Sequence, residues 1–178
     1  WIAEGMVERD PRTRKFFIGH LVQELALVAR PRYSLAGASS PSMVALAEFS
    51  QDTIYLSEAS GTESVCTACE EGAYPIKALP LHVGIRRPMG VGAGGLAILA
   101  ALPAAQARDI VAANAARYPA YGGIDLAYLN TQIDATRRRG WSVAAEKATQ
   151  GMTAIGMAIL SASGNPLGAF SIAAISAR

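Results

Sequence analysis

Four glycines in six residues, Gly90-Val91-Gly92-Ala93-Gly94-Gly95, run straight into Leu96-Ala97-Ile98-Leu99-Ala100-Ala101-Leu102 and stop at Pro103. Glycine turns a chain this tightly without a side-chain penalty, and the apolar run after it predicts a short helix. The turn therefore feeds a helix start, where backbone N–H groups lack intrahelical partners and the dipole is positive. Such a corner favours an anion or a carboxylate. The letters Gly90-x-Gly92-x-x-Gly95 also spell the dinucleotide fingerprint. That motif needs a buried strand before it, a long helix after it and an acid about 20 residues on. Arg86-Arg87-Pro88 is no central strand, Pro103 cuts the helix short, and Asp109 falls inside an alanine-rich helical stretch. The fingerprint fails and the amide-lined corner remains.

The 178 residues suit one domain with a remnant of another. A net charge of +2 is too weak for nucleic-acid binding across the whole surface. No apolar run approaches the roughly 20 residues of a membrane helix. Trp1-Ile2-Ala3-Glu4-Gly5 lacks the basic start and apolar core of a signal peptide, so a cytoplasmic location without a membrane partner is expected. Cys66-Thr67-Ala68-Cys69 sits between strand-like flanks. Residues three apart on a regular strand face opposite ways, and a zinc site would need two further ligands when only His20 and His82 are present. The expectation is two reduced cysteines, with no metal and no cofactor.

Along the chain, Met6-Val7 and Phe16-Phe17-Ile18 flank Asp10-Pro11-Arg12-Thr13. Proline presets the turn and the aspartate closes it. The result is a hairpin with a basic tip of Arg9, Arg12, Arg14 and Lys15, which reads either as a solvated turn or as a DNA-contacting wing. A helix follows from His20 to Arg30, its apolar stripe Leu21, Leu25 and Val28, ended by Pro31. A second is expected from Ser42, after Pro41, to Phe49, with Val44, Leu46 and Ala47 inward. Residues 52–59 and 64–69 form a hairpin, and 78–81 a further short strand. Beyond the glycine turn come helices over 104–117 and 126–139, the second capped by Asp125 and stopped by Gly140, with Leu126, Leu129 and Ile133 inward. Its Arg137-Arg138-Arg139 run sits against the negative dipole end, a local structural reason. Strands at 141–145, 152–160 and 167–175 complete a mixed α/β (α+β) domain with an antiparallel sheet.

Nothing assembles a nucleophile, a base and an orienting group. His20 falls on the first helix, His82 lies just ahead of the glycine turn, and Glu146 and Lys147 are either polar pocket groups or a solvated turn. The positive inference is a pocket that binds and does not transform. The alternatives are a small-molecule enzyme of unknown type, with His82 near the loop, and an assembly module with a closed, dry pocket.

Three stretches point to one family: Gly5-Met6-Val7-Glu8-Arg9-Asp10 through Phe16-Phe17-Ile18-Gly19; Arg87 through Pro103; and Arg138-Arg139-Gly140-Trp141-Ser142-Val143, Glu146, Gly151 through Gly156, then Ala169-Phe170-Ser171-Ile172-Ala173. In this order and spacing the chain resembles the IclR family of bacterial transcription regulators. The resemblance implies a GAF/PAS-like fold, a curved antiparallel sheet with flanking helices. It also implies a DNA-binding, allosteric regulator acting as a homodimer or homotetramer, contacting operator DNA only in the full-length protein. Residues 1–19 then correspond to the wing of a winged helix-turn-helix and 20–178 to a linker helix and an effector-binding domain; DNA-reading helices are expected before Trp1 and a further helix after Arg178. Carried over, the backbone at Gly92, Ala93 and Gly94 offers amides to an effector carboxylate and Ser171 a hydroxyl. Ala144, Ala154 and Ala173 stand where some members have an aspartate, a cysteine and a serine. Leu96 and Gly90 replace the usual lysine and histidine. These departures imply an effector larger and more apolar than glyoxylate or pyruvate, aromatic or alicyclic, with Leu79, Met89 and Met152 covering its body.

Overall fold

The computed structural model describes residues 1–29, 34–77, 79, 81–145 and 149–177, with nothing stated of the Leu27 side chain. It divides into two compact units, Trp1–Ser34 and Leu35–Arg178.

In the first unit, β1 (Val7–Arg9) and β2 (Phe16–Ile18) pair antiparallel, Glu8 opposite Phe17. Asp10 closes the connecting turn as its chemistry dictates: its Oδ1 accepts from the backbone N–H groups of Arg12 (2.7 Å) and Thr13 (2.9 Å). These two donors hold the Asp10 carboxyl below the usual carboxylate range. Helix α1 (His20–Val28) follows; the Pro31 stop lies outside the described residues. Leu21 is half-buried, but Leu25 and Val28 of the expected stripe are exposed within the unit.

The second unit is built on a six-stranded, wholly antiparallel sheet in the order β5-β4-β3-β8-β7-β6. Its strands are β3 (Thr53–Ser60), β4 (Glu63–Glu70), β5 (Arg86–Pro88), β6 (Ser142–Ala145), β7 (Met152–Leu160) and β8 (Pro166–Ile175). Alternation along β3 and β8 divides the side chains between two faces. Ile54 and Leu56, with Phe170 and Ile172, pack under α2 (Leu35–Ser50) through Met43 and Ala47. The opposite face receives α3 (Gly92–Ala101), which packs against β3, β6, β7 and β8. As the uninterrupted apolar run requires, α3 is buried all round, held also by α4 (Ala104–Asn114), the 3-10 turn Tyr118–Ala120 and α5 (Leu126–Arg139).

Several expectations are corrected. Helix α2 begins at Leu35, with Pro41 inside it and Ser39 buried on its inner face beside Met43 and Ala47; Val44 is exposed and Leu46 half-buried. Proline lacks the N–H of a helix ladder and is ordinarily confined to the first turn; here, as the seventh residue of α2, it lies inside the helix, which the buried Ser39–Met43–Ala47 stripe carries through it. Helix α4 stops at Asn114, whose side chain donates to the Thr62 carbonyl (2.7 Å). In α5 the cap, stop and basic turn stand as read: Asp125 accepts from the Tyr128 N–H (2.7 Å), and Gly140 has φ 84°. Leu126, however, is exposed, leaving Leu129 and Ile133 inward. Leu79 and Leu81 belong to no strand, and Ala78 and Pro80 fall outside the described residues.

The cysteines carry the most consequential correction. Leu56 pairs with Ala68 and Ser57 with Cys66, so Thr67 is an extra residue in β4. This β-bulge shifts the alternation by one, and Cys66 and Cys69 come to the same face, both packed around Tyr55. They are free thiols. Burial pushes Cys66 up to about 11, and burial together with the neighbouring Glu71 and Glu70 raises Cys69, so both remain protonated near neutrality.

Candidate functional site

The first turn of α3 lies so close to the sheet that any side chain in place of Gly94 or Gly95 would displace a neighbour. A Cβ on Gly94 would sit 2.8 Å from the Ser57 Oγ, and one on Gly95 2.8 Å from the Ser64 Oγ. Across the sheet, Gly156 of β7 opens the same approach: a Cβ there would meet the Ala93 carbonyl carbon and oxygen at 2.8 Å. Ser142 pins the contact, its hydroxyl donating within reach of the carbonyls of Ala93 (2.7 Å) and Gly156 (3.1 Å). Gly90 and Gly92 have φ of 101° and 77°, the left-handed turn that delivers the chain into α3. The whole glycine run thus works as a close-packing device that holds the helix start over the centre of the sheet.

Beside that helix start lies an open cavity with about 610 Å³ of non-atom space, its mouth and the solvent in it included. Of this, about 50 Å³ admits the centre of a water molecule, room for a few waters at ~10–15 Å³ each. Gly92, Ala93, Gly94, Ala144, Met152, Ala154, Ser171 and Ala173, all expected from sequence, line it together. They come from α3, β6, β7 and β8, and strand pairing sets them side by side: Ala144 opposite Ala154, Ala154 opposite Ala173.

The structure places two expected residues elsewhere. Met89 follows Pro88 into the core beneath α3 and is buried among Leu96, Leu99 and Leu129 instead of lining the cavity. Leu79 is half exposed, and Leu81 takes a place in the wall. His82 is exposed and absent from the lining; Glu146 and Lys147 lie outside the described residues.

Sequence reasoning missed the floor and the β5 wall. Tyr55, Ser57, Ser64, Cys66 and Arg87 all line the cavity. Alternation along β3 signals Tyr55 and Ser57 once the sheet faces are known, but Cys66 depends on the bulge. The Tyr55 hydroxyl is bound to the Leu81 backbone N–H, and burial raises its pKa well above the ordinary tyrosine value. Arg86 turns outward to Glu63 (Nε–Oε2 2.7 Å), which also takes Arg117 (Nη2–Oε1 2.6 Å). Arg87 turns inward, and burial lowers its pKa. Among the described residues, no group of three or more His, Cys, Asp or Glu is placed to hold a metal ion, and no helix is long and apolar enough to cross a membrane.

At the basic hairpin, Arg9, Arg12, Arg14 and Lys15 are all exposed, and Arg9 stacks over Phe16 (5.4 Å to the ring centre) and donates to the Arg14 carbonyl (3.3 Å).

The chain is similar over nearly its full length to solved bacterial regulators. Against the Thermotoga maritima IclR it shows 21% identity and a TM-score of 0.77, covering 98% of this chain and 70% of that one. Against an IclR family transcriptional regulator from Brucella abortus the values are 14%, 0.78, 98% and 65%. Against a putative IclR transcriptional regulator from Silicibacter sp. TM1040 they are 23%, 0.82, 99% and 70%. The chain therefore spans from 65% to 70% of the length of these proteins. The likenesses establish the fold, the GAF/PAS-like α+β arrangement of a curved antiparallel sheet with flanking helices. No curated protein matches the chain. The family described as bacterial transcriptional regulator IclR C-terminal matches residues 29–178. The chain belongs to the IclR family, and its larger unit is the C-terminal, effector-binding domain of a transcriptional regulator.

Proposed function

We propose that this domain senses a small carboxylate-bearing metabolite in the cavity and transmits its occupancy to operator binding by a full-length homo-oligomer. The observation that carries the reading is the joining, in one cavity, of the α3 first turn, the buried Ser171 hydroxyl and a wall of Ala144, Met152, Ala154 and Ala173. The acid group sits on the Gly92–Gly94 amides with Ser171 beside it. The apolar body, aromatic or alicyclic, lies along the alanines and Met152, whose flexible thioether adapts to its shape. Because little of the cavity is enclosed, a ring occupies its mouth. Binding one conformation better than another couples effector and DNA by about 1–3 kcal/mol. Residues 1–19 act as the wing of the DNA-binding domain, with Arg12, Arg14 and Lys15 reaching phosphates and Arg9 bracing the hairpin; 20–178 form the linker helix and sensor. The location is cytoplasmic, and the reading is of a regulator and not an enzyme. A thermal-shift panel of aromatic, alicyclic and short aliphatic acids tests it. Saturation at 100-fold over Kd is worth about 2.7 kcal/mol, a rise of roughly 5–11 °C at this chain length; no shift with any acid refutes it.

A further inference from the structure

β5 divides two consecutive arginines between two environments. Arg86 points outward and is fixed by Glu63 and by Ser60, whose hydroxyl accepts from Nη2 at 2.8 Å. Arg87 points into the cavity, half buried, with Nη1 3.9 Å from the place a Gly92 Cβ would occupy. It is the single charged side chain among the described residues that line the cavity. The neighbouring polar groups, Ser57, Ser64 and Ser171, are each more than nine-tenths buried and cluster around Gly94 and Gly95. The far wall is alanine and methionine, with Thr149 of the β6–β7 connection beside them. The cavity thus has a cationic, hydroxyl-lined end at β5 and an apolar end at β6 and β7.

We propose that Arg87 is the specificity-determining residue of this site: its guanidinium pairs with the carboxylate of the effector and fixes its direction. The carboxylate then lies between β5 and the start of α3, and the hydrocarbon body points toward Ala144, Ala154 and Met152. This rests on the acid-sensor reading above and adds a residue, a polarity and an orientation to it. A planar guanidinium matches a carboxylate through two parallel N–H···O bonds, a geometry that lysine does not reproduce. The cavity therefore selects acids against neutral isosteres at one end and leaves the other tolerant of shape.

Calorimetric titration of the protein with benzoate, propionate and the neutral isostere benzamide tests the assignment. The expected result is that the wild type binds at least one of the acids and discriminates against the amide. Arg87→Met then weakens the acid by about tenfold or more while leaving benzamide unchanged, and Arg87→Lys falls between them. The Nε–H signal of Arg87 in the wild type, identified by its loss in Arg87→Lys, gives a second readout that does not depend on the folding of Arg87→Met; it shifts with the acid and not with benzamide. If the wild type binds an acid and Arg87→Met binds it as tightly, or the Nε–H signal stays still, the Arg87 assignment is overturned and the acid-sensor reading stands. If neither these two acids nor any acid of the thermal-shift panel binds the wild type, both fall.

Discussion

Gly156→Ala tests whether the packing of α3 onto the sheet is as close as the structure shows. The added methyl would lie 2.8 Å from the carbonyl carbon and oxygen of Ala93 and 2.9 Å from the Ser142 Oγ. Ordinary contact begins at 3.4 Å, so the two Ala93 atoms must each give way by about 0.6 Å. They are backbone, held by the Ser142 hydroxyl at 2.7 Å, and cannot rotate aside. Overpacking of this kind costs roughly 1–3 kcal/mol, and weakening the Ser142 bridge adds about 0.5–1.5 kcal/mol. Alanine over glycine in a strand returns roughly 0.5–1 kcal/mol. The net destabilisation is about 2 kcal/mol, a fall in Tm of roughly 4–8 °C at this chain length. The assay is thermal unfolding followed by circular dichroism. A Gly156→Ala protein that melts within about 1 °C of the parent refutes the claim that α3 rests directly on β7.

Three further predictions follow from local chemistry. Asp125→Ala removes the side-chain acceptor of the α5 start and lowers stability by about 1 kcal/mol, read as a fall in Tm of roughly 2–4 °C. Hydrogen bonds from Arg86 and Arg117 hold the Glu63 carboxyl below its ordinary value of 4.5. The stability it contributes is therefore present above that value and lost as pH falls through the lower, folded-state one; Glu63→Gln flattens this acid limb in a pH series of melting curves. Cys66, pushed up to about 11, stays unmodified by a thiol reagent at pH 8 in the folded protein and reacts once denaturant is added; rapid labelling of the native protein contradicts its burial.

The sequence carried the fold where punctuation and periodicity agreed. Asp125 and Gly140 bracket α5 because a capping carboxylate and a left-handed glycine leave little alternative. The limits of β7, Met152–Leu160, follow from the turns at Gly151 and Asn165-Pro166. Reading failed where tertiary packing overrides a local cue. Pro41 looks like a start signal, yet α2 reaches back to Leu35 because its Ser39–Met43–Ala47 stripe buries against the sheet. At the cavity, the small residues of α3, β6, β7 and β8 were legible through the family resemblance, whose motifs mark their positions, and strand pairing then sets them side by side. Met89 was misplaced because one residue beyond Pro88 the chain has already turned into the core. Arg87 escaped notice because two adjacent arginines look alike until the short β5 edge sends them to opposite sides.

Thr67 has a consequence for how this strand tolerates change in length. It is the supernumerary residue of β4: with Thr67 present, Cys66 still pairs with Ser57 and Ala68 with Leu56. Deleting it leaves Cys66 next to Ala68 and restores plain alternation, with Ala68 still on the α2 side and Cys69 still beside Tyr55. A deletion inside a core strand ordinarily exchanges every downstream side chain between faces; here it removes a residue whose buried hydroxyl has no partner among the described residues and exchanges nothing. Shortening at this one position is therefore neutral for the composition of the cavity, whereas loss of Cys66 would set Thr67 opposite Ser57 in its place and loss of Ala68 would set Thr67 opposite Leu56.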